Sequence, residues 1–130
     1  MKNIPSGEWD MQVEIESRPS YGMAVVTLTQ GQSILAESGS MVAMSEAITV
    51  ETRFSGTGNG GFWGWLRAAM TSLARMLLAG ESMFLNHFTA TGDGQQVMLA
   101  PEMVGDVERI PINAGREITV QSTSFLASSK

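Results

Sequence analysis

The chain has 130 residues, of which 43% are hydrophobic, and this suffices for one domain with a buried core but not for two. It carries eight basic and 13 acidic residues, and the net charge of −5 disfavours binding to phosphate backbones, so we expect no nucleic-acid partner. It has no cysteine, which excludes disulfide scaffolds, thiol catalysis and cysteine-based zinc sites. The first residues lack the apolar stretch of a secretory signal, and we therefore expect a cytoplasmic protein.

The first part of the chain has the pattern of short β-strands. Met11, Val13 and Ile15 alternate with polar residues, which predicts a half-buried strand whose glutamates face water. Residues 23–29 are rich in β-branched side chains, and Gly31 predicts a hairpin turn into the next strand. Further strands are predicted at 33–37, 40–44 and 48–54.

A glycine-rich loop follows the strand that ends near residue 54. Gly56, Gly58 and Gly61 match the spacing of a dinucleotide-binding loop between a strand and a helix. The preceding strand carries Glu51 and Arg53, however, whereas a parallel strand buried on both faces is almost wholly apolar. Only one helix is predicted, and a doubly wound sheet needs several. We expect a flexible glycine hinge, with a nucleotide-using enzyme as an alternative.

The loop leads into the one predicted helix, residues 62–79. Arg67 and Arg75 lie on one narrow polar stripe, and Trp63 and Trp65 contribute to the apolar surface around it. Both arginines would be costly inside a bilayer, which argues against a transmembrane span. We favour a helix packed on the β domain, and a peripheral membrane contact through the tryptophans is the alternative.

The last part of the chain returns to strand patterns. Turn residues separate the predicted strands, which lie at 83–90, 96–100, 107–112, 117–121 and 124–127. His87 is the only histidine, and a metal site on a β-barrel generally needs two or three. We therefore expect His87 to be a packed strand residue, and we expect no cofactor, no metal and no enzymatic activity.

Residues from about 23–45 and 107–129 form a predicted internal repeat at a constant offset of 84. The turn glycines coincide without a gap, as do apolar and serine positions. The matched pairs include Val26/Ile110, Leu28/Ile112, Gly31/Gly115, Ile34/Ile118, Ala36/Val120, Ser38/Ser122, Ser40/Ser124 and Met41/Phe125. We interpret the two segments as copies of one hairpin unit within a single β domain that spans residues 1–130.

Two motifs carry a resemblance to a known family. The first is Ala36-Glu37-Ser38-Gly39 with two methionines after it, and the second is Gly80-Glu81-Ser82 with a phenylalanine and an asparagine after it. In order and spacing, residues from about 11 to 128 resemble bacterial members of the altered inheritance of mitochondria protein twenty-four family, also called the mitochondrial biogenesis family. Its members usually continue past this chain's last residue, so we expect a shortened version of a longer member.

The resemblance implies a fold like that of the tryptophan RNA-binding attenuation protein. That fold is mainly β, an antiparallel double-layered sandwich or double-stranded β-helix, commonly assembled as a trimer-like ring. Eukaryotic members are associated with the organisation of the mitochondrial inner membrane. No catalytic residues come with the resemblance.

We therefore predict a non-enzymatic β scaffold or interaction protein, with membrane organisation as one setting. A small-ligand or RNA-binding module is the alternative that the fold analogy allows. The second copy of the repeat lacks the strands that would cover it within one chain, so we predict a homo-oligomer. Ile118, Val120 and Phe125 are its candidate interface residues.

Overall fold

The computed structural model describes residues 11–54 and 84–129, and almost all regular structure in these ranges is β. The strands and one short 3₁₀ helix follow in chain order as β1 (Gln12–Glu16), β2 (Met23–Leu28), β3 (Ser33–Glu37), β4 (Met41–Met44), β5 (Ile48–Phe54), β6 (Phe84–Ala90), β7 (Gln95–Leu99), the 3₁₀ helix (Ser122–Ser124) and β8 (Ala127–Ser129).

The strands form two antiparallel four-stranded sheets that are arranged like a sandwich. The first sheet has the order β1-β2-β7-β4 and the second has the order β5-β6-β3-β8. This confirms the prediction of a mainly β, two-layered fold. The helix predicted over 62–79 lies outside the described residues, and the likeness to the attenuation protein stays a prediction.

Alternation along the strands decides which side chains enter the core. In β1, Val13 and Ile15 are half-buried and the glutamates are exposed, as predicted. Phe88 in β6 is fully buried between Ile34 of β3 and Val50 of β5, which lie opposite it in register. Cross-strand neighbours of this kind share one face of a sheet, so the inward residues form one continuous core.

The turn at Gly31 connects two sheets instead of closing a hairpin, so the hairpin prediction is wrong. β2 pairs with β1 and β7, whereas β3 pairs with β6 and β8. Gly31 has a φ of 85°, a left-handed conformation that favours glycine. A period of two predicts a strand but not its neighbours, because the same alternation suits a hairpin and a connection between layers.

The strands predicted at 107–112 and 117–121 are absent from the described residues, so these two predictions are wrong. The backbone from 107 to 121 contains one turn and no ladder of paired strands. The strand predicted at 124–127 is displaced to Ala127–Ser129, where it pairs with β3. A strand is defined by its neighbour, and the described residues provide none for 107–121.

Candidate interaction surface

Residues 107–121, which we call the arm, belong to neither sheet, and all of them after Val107 are exposed. Its side chains at Ile110 and Ile112 are 56% exposed, and those at Ile118 and Val120 are 44% exposed. Single exposed apolar residues are ordinary on protein surfaces, but four on one short segment make the arm a candidate interaction surface.

The base of the arm is anchored where it crosses the start of β2. Gly22 donates its N–H to the carbonyl oxygen of Gly105 at 2.8 Å, and Val107 packs against the core. A Cβ at Gly22 would lie 2.7 Å from the backbone nitrogen of Val107. Only glycine leaves room for this crossing, so the backbone contact itself fixes the point from which the arm departs.

Charged hydrogen bonds from Arg18, which we call the Arg18 fork, also hold the base of the arm. Arg18 donates to both carboxylate oxygens of Asp106, at 2.8 and 2.9 Å, and to Glu108 at 2.6 Å. These hydrogen bonds raise the pKa of Arg18, and the bond from Arg18 lowers the pKa of Asp106 below its ordinary value. A planar guanidinium that donates to two carboxylates restricts both the distance and the direction of the segment that carries them.

The turns of the arm reproduce those of the β2–β3 segment at the offset of 84 residues. The N–H of Gln32 donates to the carbonyl of Thr29 at 3.0 Å, and the N–H of Arg116 donates to the carbonyl of Asn113 at 3.0 Å. Gly115 has a φ of 82°, close to that of the matching Gly31.

A second pair of turns follows the same offset. Ser40 donates its N–H to the carbonyl of Glu37 at 3.2 Å, and Ser124 donates its N–H to that of Gln121 at 2.9 Å. The repeat itself stays a prediction, but each segment has two turn bonds and both match at the offset of 84 residues.

The matched positions differ sharply in burial. Val26, Leu28, Ile34 and Ala36 are at most 4% exposed in the core. Their counterparts in the arm are the four exposed side chains at Ile110, Ile112, Ile118 and Val120. The arm therefore has the apolar pattern of a core segment and the exposure of a surface loop.

A second apolar surface lies at the corner made by β4, the link 45–47 and β5, which we call the β4–β5 corner. Met41 lies opposite the fully buried Leu99, and Val50 lies opposite the fully buried Phe88. They face inward, yet both are about 40% exposed, at 40% and 39%. Among the described strands, β4 and β5 are the terminal strands of their sheets, and no further described strand pairs with either of them.

The described residues contain no group of three or more side chains that could hold a metal ion. His87 is half-buried in β6, opposite Leu35 and Glu51. Burial raises the pKa of Glu37, and the charge of Glu102 contributes in the same direction.

The predicted site residues fall into two groups. Ile118 and Val120 are exposed on the arm, and Phe125 is half-buried just beyond it. The remaining candidates all lie outside the described residues, namely Gly56, Gly58, Gly61, Trp63, Trp65, Arg67 and Arg75.

Sequence reasoning missed part of the apolar surface. Ile110 and Ile112 were matched in the repeat but not predicted as interface residues, and the β4–β5 corner was not predicted at all. The signal for the first pair is the same repeat, because both isoleucines match buried positions. No sequence signal marks the corner, since Met41 and Val50 have the alternation of ordinary core residues.

In the part of the chain that the structure describes, no helix has the length and apolar character needed to cross a membrane. The proposed peripheral contact through Trp63 and Trp65 lies outside that part.

The described residues form a two-layered β domain that carries an exposed apolar arm. Residues 13–130 match the family Mitochondrial biogenesis AIM24, and the chain belongs to that family. This confirms the resemblance derived from the two motifs.

Two relatives come from streptococci. An uncharacterised protein of Streptococcus pyogenes serotype M6 is 27% identical over 117 residues, which are 90% of this chain and 44% of that protein. The second relative is a Streptococcus pyogenes protein with a crystal structure, and it is 26% identical in sequence. The match covers 72% of this chain and 39% of that protein's chain, with a TM-score of 0.49. The chain thus spans less than half the length of these relatives.

Proposed function

We propose that this chain is a non-enzymatic β scaffold that acts by associating with further copies of itself through the arm. The observation that carries the proposal is the contrast in burial at matched positions. Val26 and Leu28 are 4% and 0% exposed, whereas the matching Ile110 and Ile112 are both 56% exposed.

The physical argument concerns the free energy of four apolar side chains in water. Burying an isoleucine or a valine fully contributes roughly 1.5–3 kcal/mol, so covering several of them offsets much of the cost of association. Residues 108–112 and 117–121 also have backbone groups outside any described ladder, which a strand from another chain can pair except at the N-terminal side of Pro111, where there is no N–H. Both features favour a protein neighbour.

The experiment compares the mass in solution of the parent with that of a double variant, Ile110→Asp and Ile118→Asp. We expect the parent to be a dimer, trimer or larger closed ring by light scattering at micromolar concentration, and the variant to be a 14.0 kDa monomer. Both side chains are exposed in the isolated chain, so the variant should keep its fold and should melt like the parent at the lowest protein concentration, where the parent is dissociated.

The matched control places the same charges at neighbouring polar positions of the arm. Asn113→Asp and Thr119→Asp add two carboxylates without touching the apolar positions, and this variant should assemble like the parent. A parent that is monomeric at micromolar concentration, or a control that dissociates as fully as the apolar variant, would contradict the proposal.

A further inference from the structure

We infer that the docking surface for the arm is the β4–β5 corner of a second copy, with the turn of the arm seated over the link 45–47. The inference deepens the proposed function, and rests on it, by naming the surface and the orientation of the contact. It follows from three properties of the two surfaces, which are their shape, their strand direction and their charge.

The shapes are compatible because the link joins the two layers and the arm contains a turn like the one that joins them after β2. Residues 45–47 join an edge strand of one sheet to an edge strand of the other, and three residues reach about 10 Å, the spacing of packed sheets. Two backbone hydrogen bonds fix the link. The N–H of Ser45 donates to the carbonyl of Gln96, and the N–H of Thr91 donates to the carbonyl of Ala47. The arm has the turn of the β2–β3 segment, which also connects the two layers.

The strand directions give antiparallel pairing on both edges at once. With the two turns at the same end, the limb 108–112 runs towards that end and β5 runs away from it. The limb 117–121 runs away from that end and β4 runs towards it. The first limb therefore extends the sheet that contains β5, and the second extends the sheet that contains β4. All pairs within the chain's described sheets are antiparallel too.

The apolar positions and the charges agree with this seating. Ile110 and Ile112 would cover the exposed inward side of Val50, while Ile118 and Val120 would cover that of Met41. At the tip, the exposed Arg116 of the arm would meet Glu46 in the link of the second copy. Opposite charges at the tip favour this neighbour and this orientation.

Cross-linking tests the seating directly, because the chain has no native cysteine. Glu46→Cys and Arg116→Cys are prepared as separate single-cysteine proteins, one with a mass tag, and mixed under mild oxidation. We expect a disulfide-linked heterodimer between the two chains. The control mixes Arg116→Cys with Glu14→Cys, an exposed position on β1, and should give at least tenfold less of that product.

A charge exchange provides a second readout that needs no covalent bond. Arg116→Glu and Glu46→Arg should each weaken association roughly two- to fivefold, as expected for an exposed ion pair. The double variant restores an opposite-charge pair at every contact and should associate like the parent. Glu14→Arg changes the charge equally at a site away from the corner and should leave the dissociation constant unchanged.

The outcomes separate this inference from the proposed function. An assembly that depends on Ile110 and Ile118 but gives equal cross-linking at Glu46 and Glu14 overturns the corner as the docking surface and leaves self-association standing. A parent that is monomeric in solution overturns both. A monomer that sediments with anionic lipid vesicles, and loses this on Ile110→Asp with Ile118→Asp, assigns the arm to a membrane surface and overturns both as well.

Discussion

Phe88 is the largest fully buried side chain among the described residues. It is fully buried in β6 with Ile34 and Val50 opposite it in the flanking strands. Phe88→Ala should lower the free energy of unfolding by roughly 3–5 kcal/mol, since it removes a ring and leaves a cavity. The measurement is urea unfolding, with Val42→Ala as the control, because Val42 is 59% exposed and its truncation should cost at most about 0.5 kcal/mol. Similar midpoints for both variants would contradict this account of the core.

Gly22 affects stability for a different reason, because a second backbone segment crosses directly over it. Gly22→Ala places a methyl group 2.7 Å from the backbone nitrogen of Val107, and neither backbone can yield without losing the bond to Gly105. We expect a loss of roughly 1–3 kcal/mol in thermal unfolding. Gly105→Ala is the matched control, because nothing lies within 4 Å of a Cβ there. Equal melting temperatures for the two variants would show that the crossing is not close.

At the scale of the element, the base of the arm should respond to acid through Asp106. Its pKa in the folded state lies below the unfolded value of about 3.9, because Arg18 donates to its carboxylate. The stabilisation is therefore complete above that unfolded value, and it is lost as the pH falls through the lower folded pKa. The parent should melt above Asp106→Asn at neutral pH, and the difference should vanish in strong acid.

A series of melting curves between pH 2 and pH 7 measures this difference. Glu14→Gln, on the exposed face of β1, is the control for removing one carboxylate, and its difference from the parent should be smaller at neutral pH. A gap between the parent and Asp106→Asn that stays constant down to pH 2 would contradict the role of the Arg18 fork.

The sequence predicts the presence of a strand where one face of that strand packs on the core of the same chain. The alternation at Val13 and Ile15 predicted β1, and the apolar runs predicted most of the other strands, to within a residue or so at their ends. The same alternation at Ile110 and Ile118 predicted strands that the described residues do not form. Alternation reports which side of a strand is apolar, but pairing depends on a neighbour that the pattern does not specify.

The candidate surface was predictable only in part, for the same reason. Ile118 and Val120 were predicted because the repeat matches them to the apolar positions Ile34 and Ala36. The corner at Met41 and Val50 was not, because its exposure arises from the sheet order, in which β4 and β5 are terminal strands. Sheet order is a property of long-range pairing and cannot be derived from local periodicity.

At the scale of the whole molecule, we propose a domain whose arm pairs with a neighbouring copy. Each copy offers one arm and one β4–β5 corner, so a closed assembly leaves neither surface exposed. Association stabilises the folded chain by mass action, so the melting temperature should rise as the protein is concentrated. The apolar double variant, Ile110→Asp with Ile118→Asp, should melt at one temperature at every concentration.

Hydrogen exchange of the arm amides tests the central claim most directly. The backbone groups of residues 108–112 and 117–121 are outside any ladder of the described residues, so they should exchange rapidly in dilute protein. If another copy pairs with the arm, their protection should rise steeply between nanomolar and micromolar concentration, while that of β2 and β6 stays high throughout. Arm amides that exchange equally fast at both concentrations would contradict the account.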